Sequence, residues 1–173
     1  LEYSDLECPF CAMFHKWTVD EDLTEKYWDN LNKVFNHFPL DFHKNAMPWA
    51  EVLECLWEQL WSDAFYNLID ISYASANQLP DWNIDTSASS SKDFLIEEAV
   101  KLWADKDTLE SCVNDETYQE KITKLMNNWS LLFWVTWTPW SVLINNETWE
   151  YEVISWAYPT ESFTQVIDKL LWE

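Results

Sequence analysis

Hydrophobic and polar positions in this chain follow two periods, and the places where one gives way to the other divide it into elements. Leu1 to Asp5 reads as the end of a strand, and Asn32 to Phe38 alternates like a second one. Between them, Pro9 to about Lys16 and Glu21 to Tyr27 carry helical spacing. The same spacing returns in Ala46 to about Leu60, Asp63 to Ser75, Ser91 to Leu102, Thr108 to Val113 and Asp115 to Asn127. Leu79 to Ser90 is polar, with Pro80, Asp81 and a Ser/Ala cluster, and reads as a loop. Two short strands, Ser141 to Ile144 and Tyr151 to Ser155, precede a closing helix, Thr160 to Leu171, whose apolar stripe is Phe163, Val166, Ile167, Leu170 and Leu171. The predicted order is β-α-β, helices over about residues 45–127, then β-β-α. That is one α/β domain over residues 1–173 with a helical insertion, long enough to bury a core.

The densest chemistry lies where the first strand meets the first helix, at Cys8-Pro9-Phe10-Cys11. Two cysteines at this spacing can close a small disulfide. Pro9 suits the first helical position because its missing N–H is not needed there. The helix N-terminus beside Cys8 favours a thiolate, the form that attacks disulfides and binds metals. On this pattern Cys8 is the exposed nucleophile and Cys11 its deeper partner. The alternative is half of a zinc site, with Cys8, Cys11 and His15, but a second pair at suitable spacing is lacking. Cys55 and Cys112 stand alone on separate helices. His37 and His43 flank Phe38-Pro39-Leu40 and read as structural or surface residues.

The segments Glu2-Tyr3-Ser4-Asp5-Leu6-Glu7-Cys8-Pro9-Phe10-Cys11, His37-Phe38-Pro39-Leu40, Phe42-His43-Lys44-Asn45-Ala46 and Thr138-Pro139 fall in one order along the chain. In that order the sequence resembles the DsbA-like branch of the thioredoxin superfamily. The resemblance implies a thioredoxin-like fold with an all-helical insertion, and catalysis by Cys8 and Cys11. It also makes Thr138-Pro139 a cis-proline loop facing Cys8, able to pair an extended substrate beside the disulfide. Glu2, six residues before Cys8, falls where the family places a buried acid that relays a proton to Cys11; an exposed strand-end glutamate is the other reading. Cys55 and Cys112 match a pair that forms a structural disulfide in several relatives, which implies an oxidising compartment; two unpaired buried cysteines are the alternative.

The strongest oxidants of the family carry histidine at the position of Phe10. Phe10 brings no charge, and Glu7 adds a negative one, so the expected Cys8 pKa is below that of free cysteine without being extreme. The disulfide is then expected to be less oxidising than in the strongest members.

Charge narrows the partners. With 31 acidic and 10 basic residues, the net charge of −21 argues against nucleic acid and anionic membrane surfaces as ligands. No apolar run approaches a membrane-spanning length. The chain starts at Leu1, inside its first strand, and is expected to be trimmed; a leader or membrane anchor upstream is compatible with this.

Composition holds an anomaly: no glycine, no arginine and fourteen tryptophans. At about 7% average usage roughly a dozen glycines are expected. Several tryptophans occupy glycine-like places. Trp28 and Trp103 follow helical runs, where a left-handed residue ends many helices. Trp149 lies in a hairpin turn that wants a positive φ, and Trp137 and Trp140 flank the Thr-Pro loop. The expectation is that each Trp stands for a glycine, as when UGA codons meaning glycine are read as tryptophan. The competing reading is an aromatic-rich protein using Trp in its core or as a ligand platform.

The function expected from all this is that of an exported bacterial thiol–disulfide oxidoreductase, periplasmic or extracytoplasmic. It would introduce disulfides into reduced or unfolded exported proteins. No bound cofactor or metal is needed, because the electrons reside on sulfur. By resemblance a quinone-linked membrane partner reoxidises the pair, and a monomer is expected. The alternatives are a reductase or isomerase using the same cysteines, or a non-enzymatic peptide-binding module.

Overall fold

A computed structural model of the chain describes residues 1–17 and 20–172. Its centre is a four-stranded mixed sheet. Strand β1 (Glu2–Ser4) lies between β2 (Phe35–His37), parallel to it, and β5 (Trp140–Ile144), antiparallel; β6 (Tyr151–Ile154) pairs antiparallel with β5 on the outside. Side chains alternate across the sheet. Tyr3, Trp140 and Val142 join Phe38 and Val135 on one side, while Ile154 packs with Phe14, Phe163 and Ile167 on the other. Because both faces of β1 are covered, all three of its residues are buried, Glu2 included.

Helix α1 (Pro9–Trp17) follows β1 and α2 (Asp20–Tyr27) precedes β2. The insertion comprises α3 (Ala46–Ser75), a short β3–β4 hairpin (Asn77–Gln78 with Ile84–Asp85), α4 (Lys92–Lys101), α5 (Lys106–Asn114) and α6 (Gln119–Phe133). It packs its own core, with Leu53, Leu56, Leu68, Leu95, Leu109 and Ile122 buried together with Leu6, Cys11 and Ala12. Helix α7 (Thr160–Trp172) closes the chain.

Two expectations need correction. The loop expected at 79–90 contains β4. The helix expected to begin at Asp115 begins at Gln119, since Glu116 takes a left-handed φ of 51° and makes a turn there; it then runs on to Phe133, which packs beside Tyr151. The two helices expected at 46–60 and 63–75 are both present within α3, and helical geometry breaks between them at Trp61, where φ is 62° and ψ −163°.

That break belongs to a pattern. Seven described residues have positive φ, and five of them are Trp28, Trp61, Trp103, Trp134 and Trp149. Trp103 shows what the backbone wants there. Its N–H bonds the Val100 carbonyl at 3.0 Å and the Ala104 N–H bonds the Ala99 carbonyl at 3.1 Å. Those two bonds are a Schellman ending, whose left-handed position is normally glycine. Trp28, Trp103 and Trp149 are thus left-handed, as their sequence positions predict.

Cys55 and Cys112 are joined by a disulfide, with Cα atoms 6.1 Å apart, linking α3 to α5. Nearby lies a buried polar group. Lys121 pairs with Glu54 at 2.6 Å, and the Tyr118 N–H donates to Glu51 at 3.0 Å. His37 Nε2 is 3.5 Å from Glu54, yet burial, reinforced by the Lys121 charge, lowers the His37 pKa to about 3. His37 is therefore neutral at physiological pH, and the contact is no ion pair.

Candidate active site

The turn after β1 brings the two cysteines to the start of α1. The Cys8 N–H bonds the Asp5 carbonyl at 2.9 Å, and the Cys8 carbonyl accepts from the Cys11 and Ala12 N–H groups, both at 3.1 Å. Cys8 thus sits at the mouth of the helix with Pro9 as its first residue, and the helix dipole points its positive end at the sulfur. Across from it, the Thr138–Pro139 peptide is cis, and the Cys8 thiol donates to the Thr138 carbonyl at 3.6 Å. This loop covers the sulfur. Cys8 is only 3% exposed, against the expectation of an exposed nucleophile, and Cys11 is fully enclosed.

The two thiols differ in acidity. Cys8 is lowered to about 7, chiefly by its contact with the Cys11 thiol, with help from Thr138 and the Cys11 N–H against the cost of burial. Cys11 is pushed well above the ordinary thiol range, first by complete burial and then by Cys8. Near neutral pH the first sulfur is therefore the one that ionises, while the second keeps its proton. Among the described residues no metal-binding group of His, Cys, Asp and Glu is assembled, and His15, the third zinc ligand considered, bonds Asp70 at 2.9 Å.

Glu2 lies on β1, buried rather than exposed at a strand end, with its carboxylate 3.2 Å from the Lys33 ammonium. Phe10 lies at the surface, beside a groove of about 800 Å³ lined by Pro9, Phe10, Met13, Lys16, Asp81, Asn83 and Ile84. The acid whose charge opposes the Cys8 thiolate is Asp5, not Glu7; the Glu7 carboxylate accepts from the Asn45 N–H at 2.5 Å.

Sequence reasoning missed Asp5, His43 and Tyr73. Asp5 is fully buried and accepts from the Glu7 N–H (2.8 Å), the Leu40 N–H (3.0 Å), Trp49 Nε1 (3.0 Å) and His43 Nδ1 (2.8 Å). Tyr73 reaches from α3 to share a 2.8 Å hydrogen bond with Ser4. Asp5 and His43 both lie in segments that carry the family resemblance, and that was the available signal; Tyr73 had none.

A family model described as Thioredoxin matches residues 1–169, and the chain belongs to that family. No curated protein sequence matches it. Among solved structures, it is similar to Pseudomonas aeruginosa DsbA2 (25% identity, TM-score 0.69, covering 99% of this chain and 89% of that one). It is also similar to Wolbachia pipientis alpha-DsbA1 (26% identity, TM-score 0.73, 98% and 83%). Bacillus subtilis BdbD, at 18% identity and TM-score 0.64 over 99% and 86%, shares the fold. The chain is a DsbA-like member of the thioredoxin superfamily, an enzyme of the thiol–disulfide oxidoreductase kind.

Proposed function

We propose that this protein donates disulfides to reduced, exported proteins through Cys8 and Cys11, in the periplasm or another extracytoplasmic space. The observation that carries the proposal is geometric: Cys8 sits at the head of α1 against the carbonyl of the cis Thr138–Pro139 loop, with Cys11 fully enclosed behind it. In the oxidised protein a substrate thiolate attacks Cys8 Sγ, the Cys8–Cys11 bond breaks, and Cys11 leaves with the electron pair and takes up a proton. The Ser4 and Thr138 side chains ease the transient charge on Cys11 until it is protonated. A second substrate thiolate then attacks the substrate sulfur of the mixed disulfide and releases Cys8 as a thiolate. The substrate loses two electrons and the protein gains them; a quinone-linked membrane partner takes them up in turn. Thr138-Pro139 and the groove beside Phe10 hold the extended substrate.

A second reading, as a reductase or isomerase, is favoured by the Cys8 value itself. About 7 is the thioredoxin range, far from the roughly 3.5 of the strongest oxidants. The deciding measurement is the equilibrium of the pair with glutathione. A potential near about −120 mV marks a donor and one near about −270 mV a reductant. Cys8→Ser abolishes either activity, whereas a passive peptide-binding module survives it.

A further inference from the structure

We propose that His43 is a positioning residue that sets the charge state around Cys8, by holding a proton against the buried Asp5 carboxylate. The inference rests on Cys8 being the reactive sulfur. Asp5 is completely enclosed, and its backbone carbonyl holds the Cys8 N–H at 2.9 Å. A buried carboxylate needs a compensating cation or it is very costly to desolvate. Among the hydrogen-bond donors to Asp5, three are neutral N–H groups, and only the His43 imidazole can carry charge. At 2.8 Å it forms a charge-assisted bond when protonated.

The charged groups around His43 are Asp5 and Glu7 from the turn after β1 and Cys8 at the head of α1, and each favours its protonated form. Asp5 in turn opposes the Cys8 thiolate. A protonated His43 therefore cancels the charge that works against Cys8. The reactive sulfur faces a neutralised pair instead of a bare carboxylate. Lacking a positive residue at Phe10, the chain supplies one from the loop between β2 and α3.

The test begins with the unaltered protein. The His43 imidazole titration is followed by NMR in the oxidised and reduced states. A higher midpoint in the reduced protein, where Cys8 carries charge, is expected; equal midpoints overturn the proposal. The Cys8 thiolate is then titrated by its ultraviolet absorbance, with Cys8→Ser as blank. His43→Gln is expected to raise the Cys8 midpoint by about one unit, roughly tenfold less thiolate on the acid side of the midpoint. His43→Lys should restore it. A folded His43→Gln protein with an unchanged Cys8 midpoint sinks the idea. If the unaltered protein shows a Cys8 thiolate but fails to cycle with glutathione, the functional reading fails while this one still stands to be judged on the midpoints.

A separate observation carries a second inference. Five of the seven described left-handed residues are Trp, and Trp61 occupies a region that is essentially glycine-only. We infer that the natural chain carries glycine at its tryptophan positions, the gene being one in which UGA encodes glycine. The gene then shows UGA at residue 61 and at the other thirteen positions, and peptide mass spectrometry of the chain from its source reads glycine there. A UGG codon or a tryptophan at residue 61 overturns it.

Discussion

Replacing Trp61 once by glycine and once by alanine isolates what its backbone costs. Both substitutions remove the same indole, so the ring's contacts cancel in the comparison. At φ 62° and ψ −163°, any residue with a Cβ is strained by roughly 1–3 kcal/mol. Glycine gives back about 0.4–1 kcal/mol through its freer unfolded chain. The net expectation is that Trp61→Gly is more stable than Trp61→Ala by about 1–2 kcal/mol, or roughly 2–8 °C in Tm for a domain of this size. Trp57, one helical turn earlier in α3 with no positive φ, is the control. There alanine should win, by about 1 kcal/mol. Urea unfolding of the four variants reads both differences. If alanine equals or exceeds glycine at residue 61, the backbone is not held where the structure puts it, and the argument for glycine at the tryptophan positions loses its physical basis.

Other consequences are open to equally direct measurement. Removing the Cys55–Cys112 bond with a Cys55→Ser/Cys112→Ser pair releases a loop of 57 residues, and chain entropy predicts a loss of about 4 kcal/mol in urea unfolding; a loss under about 1 kcal/mol would contradict it. His37 is held neutral, so below pH about 6.5 the unfolded chain takes up a proton that the folded chain refuses until about pH 3. Stability from this group is therefore complete above pH 6.5 and falls by about 1.4 kcal/mol per pH unit below it. His37→Phe should lose about 2 kcal/mol less than the parent between pH 6.5 and pH 5, and equal losses count against a neutral His37. Ser91 caps α4 by accepting from the Phe94 N–H, and Ser91→Ala should cost about 1 kcal/mol in the same assay.

Periodicity located every strand of the main sheet and each long helix, because those elements bury one face and polar residues fill the other. The cysteine pair and the Thr-Pro loop were legible for a different reason: their chemistry is written in adjacent residues. What escaped was non-local. The partners of Asp5 are Leu40 and His43, more than thirty residues on, and the loop that hides Cys8 lies 130 residues away. Lys33 reaches Glu2 only because β1 and β2 pair in parallel with Glu2 opposite Phe35. Burial of His37 depends on Phe35, Trp49 and Phe65 closing around it, which no spacing in the sequence reveals.

The four cysteines are the same thiol chemically, but the fold sorts them into bonds of opposite mechanical consequence. Cys8 and Cys11 lie at the head of one helix, so opening a bond between them frees a ring of two intervening residues and almost no chain entropy. The Cys55–Cys112 bond ties down a third of the molecule and lies in the core of the insertion. Turnover at the first pair thus leaves the chain's connectivity, and with it the shape presented to the next substrate, as it was. Exchange chemistry and architectural restraint are kept on separate sulfurs, and the protein can be emptied of one disulfide without being loosened by the loss.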